Sequence, residues 1–91
     1  MIASFAPRSK VLVIDDEVGP RESLRILLKN DYEVLCADSV LDGLRLLREA
    51  NPDVVVMDIR MPGRNGIEGL EKIREIDRQV SVIMLTGYAA L

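Results

Sequence analysis

The chain has no histidine, which removes imidazole metal sites, histidine general bases and any role as a phosphohistidine carrier. Its chemistry must therefore run on carboxylates. With Cys36 as the single cysteine, no internal disulfide can form, and the apolar, strand-like surroundings fit a buried thiol better than a reactive one. A reducing, cytoplasmic setting is expected. Long hydrophobic runs are missing too: Val11–Ile14, Val54–Met57 and Val82–Leu85 fall far short of the ~20 residues that span a bilayer, and 1–9 contains no hydrophobic signal core. Neither membrane insertion nor export is expected. There is no basic excess, since 12 Lys and Arg face 15 Asp and Glu for a net charge of −3 spread along the sequence, so direct nucleic-acid binding by this segment is not expected. What remains is a chain of 91 residues, 48% apolar and 30% charged, without low-complexity tracts. It should fold as one small globular domain around a single core, with little stability to spare.

The segment Lys10–Ile14 reads Lys-Val-Leu-Val-Ile and ends at Asp15. An apolar run without alternation suits a strand covered on both faces. Pro20 sits where a first helical turn tolerates it, and Leu24, Leu27 and Leu28 recur at helical spacing up to Lys29, before Asn30-Asp31, which predicts the first helix. The short apolar segment 33–37 is a second strand. Ser39 is an N-cap with acidic Asp42 three positions on, and Val40, Leu44 and Leu47 line one face of a helix that ends near Ala50, ahead of Asn51-Pro52. A third strand, 53–57, runs into Asp58 much as the first runs into Asp15. The loop 59–65 follows, then a third helix carrying Ile67, Leu70, Ile73 and Ile76, and a fourth strand, 81–85, leading to Thr86-Gly87-Tyr88. Helices inside each connection imply parallel strands, right-handed crossovers and a doubly wound α/β sheet.

Open sheets of this class place their sites beyond the carboxyl ends of the strands. The residues there are Asp15-Asp16-Glu17, Asp58 and Thr86-Gly87. With the first and third strands adjacent, as in the flavodoxin-like order, Asp15, Asp16 and Asp58 share one small crevice. At an effective dielectric near 20, two unit charges about 5 Å apart repel by roughly 3 kcal/mol, so the crevice calls for a proton or a cation. All-oxygen donors favour a hard divalent ion, and a few carboxylates plus water suit Mg²⁺ better than Ca²⁺. An ion beside an exposed carboxylate equips a site for phosphoryl transfer, with Asp58 as nucleophile and Thr86 contacting the phosphoryl group.

Taken together, Val-Leu-Val-Ile-Asp-Asp-Glu, Val-Val-Val-Met-Asp-Ile-Arg-Met-Pro-Gly-Arg-Asn-Gly and Val-Ile-Met-Leu-Thr-Gly-Tyr resemble the receiver domain of bacterial two-component response regulators, from about Lys10 to Leu91. The resemblance implies a CheY-like fold of strand order 2-1-3-4 and makes Asp58 the phosphoacceptor. It makes Asp16 a direct Mg²⁺ ligand, Asp15 a ligand largely through a metal-bound water, and the backbone carbonyl of Arg60 a further donor. Thr86 would sense the phosphoryl group, and Pro62 and Gly66 match the loop that shapes the acceptor site. A sensor histidine kinase is the implied donor, and an output domain or downstream partner, often a transcription regulator, the reader. The protein would thus be a phosphoprotein of a phosphorelay and not an enzyme.

Members of that family continue with a helix, a strand bearing a lysine and a switch aromatic, and a last helix. This sequence stops at Leu91, so 1–9 is expected to be an N-terminal lead and 10–91 an incomplete receiver domain without the last α-β-α portion. Met1 suggests a native N-terminus. The ending Ala89-Ala90-Leu91 favours a fragment over a natural short form. Without the family's lysine, phosphorylation is expected to be impaired, and the bare apolar fourth strand is expected to drive a homodimer or swapped oligomer. Two other functions stay open: a docking or dimerisation module that does not signal, and a small Mg²⁺-dependent phosphohydrolase. The latter lacks a spaced Asp-x-Asp pair and a general acid.

Overall fold

The computed structural model describes residues 8–61 and 64–85, and at 61, 64 and 65 the backbone alone. Its elements are β1 (Lys10–Ile14), α1 (Val18–Leu28), β2 (Glu33–Ala37), α2 (Val40–Ala50), β3 (Val54–Asp58), β4 (Arg60–Met61), β5 (Arg64–Asn65), α3 (Gly66–Ile76) and β6 (Ser81–Leu85). Four of the strands form one parallel sheet in the order β2-β1-β3-β6. Because β6 is the fourth long strand, this is the 2-1-3-4 order expected of a flavodoxin-like chain. The segment expected to be a plain loop contains a short antiparallel pair instead, Arg60 with Asn65 and Met61 with Arg64. Two residues per strand are too few to display a period in sequence.

The apolar runs of β1 and β3 feed two cores, because successive side chains of a strand leave on opposite faces. Leu12, Ile14, Val55 and Met57 point to one side and pack with Val40, Leu44 and Leu47 of α2 and Ile73 of α3. On the other side Val11, Val13 and Val56 meet Leu24 and Leu28 of α1 together with Val34 and Cys36. Cys36 is half-buried there, and burial raises its thiol pKa, as suits an inert cysteine. The cap expected of α2 is present: Ser39 Oγ accepts the Asp42 N–H at 3.1 Å. Asn51 closes that helix in the left-handed region, at φ 53°, where Asn is among the tolerated residues.

Two of the apolar residues at helical spacing face outward. Leu27 is 73% exposed, because the inner face of α1 runs through Leu24 and Leu28 toward Arg21 and Arg25. Ile67 is 54% exposed, since the seam of α3 runs through Gly66, Gly69 and Ile73. Among the described residues, no helix is long and apolar enough to cross a membrane.

Candidate functional site

The last registered pair between β1 and β3 is Ile14 with Met57. One residue further along each strand come Asp15 and Asp58, so their backbones sit about one strand spacing apart, roughly 5 Å. Each carboxylate is held in the same way. Asp15 Oδ1 accepts the Glu17 N–H at 2.9 Å, and Asp58 Oδ1 accepts the Arg60 N–H at 2.8 Å. These are side-chain turns of the kind short acids make with the backbone two residues on. In both residues Oδ2 has no partner among the described residues. The turns thus orient two carboxylates and leave one oxygen of each uncommitted.

Among the described residues, Asp15 is the one buried charged residue, 3% exposed. Its pKa is raised above the ordinary 3.8, first by burial and then by the negative charges of Asp58 and Asp16, while the Glu17 hydrogen bond and the Arg21 guanidinium pull the other way. Backbone anchors fix it as firmly as its side chain. The Asp15 N–H donates to the Ala37 carbonyl at 3.1 Å, and the Asp15 carbonyl accepts Arg21 Nη1 at 2.8 Å. Reading the sequence does not single out Arg21. The available signal was a lone cation, just after Pro20, six positions beyond a strand-ending acid.

Asp16 is exposed beside Asp15, near enough to act on it electrostatically. Arg60 is brought to the site by its backbone N–H on Asp58. Thr86 and Pro62 lie outside the described residues, although Leu85, the residue before Thr86, is in register with Asp58 and its carbonyl accepts the Ile59 N–H at 2.9 Å. Gly66 packs directly under the exit of β3: its N–H donates to the Ile59 carbonyl at 2.6 Å. A Cβ there would stand 2.6 Å from Ile59 Cα, so only glycine allows this approach.

The donor set is all oxygen, as a hard ion requires, and two carboxylates with one free oxygen each match the way Mg²⁺ takes one or two acids and fills its shell with water. Among the described residues, no group of three or more His, Cys, Asp or Glu side chains is gathered closely enough to hold a metal ion. At the opposite edge of the sheet the fold collects cations that are scattered in sequence. Arg8, Arg25 and Lys29 line an open cavity of about 540 Å³ with Tyr32, Glu33 and Val34. Arg25 is already paired with Glu22.

The order of the sheet and the acid pair at its carboxyl edge define a flavodoxin-like α/β protein with a carboxylate site. Residues 11–91 match the response regulator receiver domain, and the chain belongs to that family of two-component signalling domains. It is 35% identical over 83 residues to the sporulation initiation phosphotransferase F of Bacillus subtilis, covering 90% of this chain and 67% of that protein. Identity to the regulatory protein AtoC of Escherichia coli is 37% over 82 residues, 89% of this chain but 18% of that one. Among solved structures, a response regulator receiver domain protein of Clostridium thermocellum superposes with a TM-score of 0.82 at 40% identity, covering 89% of this chain and 67% of its own. A CheY-like receiver domain protein of Methanospirillum hungatei reaches a TM-score of 0.84 at 30% identity, covering 92% and 68%.

Proposed function

We propose that the acid pair is a phosphoacceptor site and that Asp58 takes a phosphoryl group from a sensor histidine kinase. The observation that carries this reading is the shared posture of Asp15 and Asp58, each turned by a backbone N–H so that a free oxygen is left at adjacent strand ends. Asp58 Oδ2 attacks phosphorus, an O–P bond forms as the donor's N–P bond breaks, and the departing imidazole takes up a proton. Asp15, Asp16, Asp58 and the Arg60 carbonyl would hold Mg²⁺. When bound, the ion offsets the charge on the phosphoryl oxygens. Asp15 and Asp16 keep the crevice negative and so select a cation, while the Arg60 N–H holds Asp58 in its attacking orientation. Thr86, next along from Leu85, would contact the transferred group. The domain acts as a stoichiometric switch read by an output domain or partner, in the reducing setting that suits its single thiol.

In the sheet, β6 has no strand on the outer side among the described residues, and Ile83 and Leu85 there are 50% and 38% exposed. Such an edge pairs with a second copy, and that association is read from solution mass as a function of concentration.

The test is treatment with acetyl phosphate or beryllofluoride in Mg²⁺, with the adduct mapped by mass spectrometry. An adduct confined to Asp58 and abolished in Asp58→Asn is expected. Modification that survives Asp58→Asn sinks the reading. Turnover of a phosphoester would instead indicate a hydrolase, and no adduct under any condition a docking module.

A further inference from the structure

The turn between β1 and α1 has to present two acids, yet it is held by little that usually holds such a turn. Glu17 stands at the N-cap of α1 without a side-chain cap hydrogen bond, and α1 has no fully buried residue to lock its entry angle. Pro20, in the first turn, has no N–H to offer. Leu24 and Leu28 pack α1 on the body of β1, and the polar contact that reaches from the helix to the strand end is made by the Arg21 guanidinium. Its Nη1 donates to the Asp15 carbonyl at 2.8 Å across six residues, in a part-buried position, while the Arg21 N–H is 3.3 Å from the Glu17 carbonyl. The Arg21 side chain therefore holds the Asp15 end of the segment 15–17, while the Glu17 end enters the helix's own backbone bonding, and the Asp15 Oδ1 bond to Glu17 closes between them.

We infer that Arg21 is a positioning residue for the acid pair. By gripping the Asp15 carbonyl it sets where the free Asp15 oxygen and the Asp16 carboxylate stand relative to Asp58. This inference rests on the reading of the pair as a Mg²⁺ and phosphoryl site. Two consequences of removing Arg21 have opposite signs, which makes the idea decidable. Losing its positive charge would by itself tighten a cation at the acid pair. Losing the brace would loosen it, because residues that orient ligating groups govern metal affinity by about 10- to 100-fold. The brace is the dominant effect.

Arg21→Met and Arg21→Lys are compared with Arg25→Met, one turn further along the same helix. Arg25 is hydrogen-bonded to Glu22, and among the described residues no hydrogen bond links it to the acid pair. The whole chain is titrated with Mg²⁺ while backbone amide shifts are followed by NMR, and amide exchange at Glu17 is measured separately in EDTA. Expected are a rise in the Mg²⁺ dissociation constant of about tenfold in Arg21→Met, a smaller rise in Arg21→Lys, and faster Glu17 exchange in Arg21→Met without metal. Arg25→Met should leave both within about twofold of the parent. Unchanged Glu17 exchange, or Mg²⁺ binding in Arg21→Met as tight as the parent's or tighter, overturns the inference. If Arg21→Met does not fold, Arg21→Lys carries the comparison, and parent-like values in both readouts again overturn it. A parent that binds no Mg²⁺, or binds it equally well as Asp58→Asn, refutes the site reading instead, and Glu17 exchange in EDTA still decides the brace.

Discussion

Replacing Asp15 by Asn should stabilise the metal-free protein at neutral pH, an unusual outcome for a buried site residue. Asparagine keeps an oxygen for the Glu17 N–H and removes the charge. The adjacent ends of β1 and β3 put Asp15 and Asp58 about one strand spacing apart, and two unit charges at a separation of about 5 Å repel by about 3 kcal/mol at an effective dielectric of 20. Against this, the substitution gives up the attraction of the Arg21 guanidinium and weakens the Glu17 hydrogen bond, together about 1–2 kcal/mol. A net gain of about 1–2 kcal/mol remains, measurable by urea unfolding in EDTA followed by far-ultraviolet circular dichroism. The pH dependence gives an independent check. Folding raises the Asp15 pKa above 3.8, so on raising the pH the unfolded chain sheds this proton first and unfolding is favoured. The cost of Asp15 is absent below 3.8, grows as the pH rises, and is complete once the folded group has ionised. The Asn advantage must follow the same course. Saturating Mg²⁺ should reverse the ranking, since a ligand at 100 times its dissociation constant adds about 2.7 kcal/mol to the protein that binds it. An Asp15→Asn protein less stable than the parent at pH 7 in EDTA, or equally advantaged at pH 3, would refute the reasoning.

Four further substitutions test the scaffold. Gly66→Ala forces a methyl group to within 2.6 Å of the Ile59 backbone; it should cost about 1–3 kcal/mol and lower the melting temperature. Ser39→Ala deletes the oxygen that caps Asp42 and should cost about 1 kcal/mol in urea titration. Leu12→Ala, at a fully buried position, should cost about 2–5 kcal/mol, whereas Leu27→Ser, at a position 73% exposed, should stay within about 0.5 kcal/mol of the parent. Equal effects of these last two would mean that the sheet faces are assigned wrongly.

Strand existence was legible because Val11–Ile14 and Val54–Met57 are too apolar for any position but a sheet covered on both sides. The α2 cap was legible because Ser39 and Asp42 carry their own local signal. Strand order was a different matter: it came from topology rules and the family resemblance, and the register of β1 with β3 turned it into an observed adjacency. What escaped were features that depend on direction in space. Helical spacing includes Leu27 and Ile67 as readily as Leu24 and Ile73, and only packing selects the inner line. Arg21 escaped for the same reason, since a guanidinium aimed at a backbone carbonyl leaves no pattern in composition or period.

The acid pair also shows why a local motif alone would have misled. Asp77 makes the same kind of turn as Asp15 and Asp58, accepting the N–H of Gln79 at 2.8 Å and of Val80 at 3.1 Å through Oδ1. Yet it sits between α3 and β6, at the amino edge of the sheet, and serves to turn the chain into the last strand. Asp53, at the same edge, takes the Lys10 N–H at 2.8 Å and ties the start of β1 to the start of β3. These acids are connectors, and equivalent turns become a candidate site only at the carboxyl edge, where parallel pairing of β1 and β3 brings two of them side by side. Both ends of these strands therefore carry acids with backbone partners, and the difference in role comes from whether a second carboxylate stands across the ladder. That is a property of strand order, so exchanging Asp58 with Met57 should leave composition untouched and still abolish Mg²⁺ binding, because the side chain would then point into the α2–α3 core.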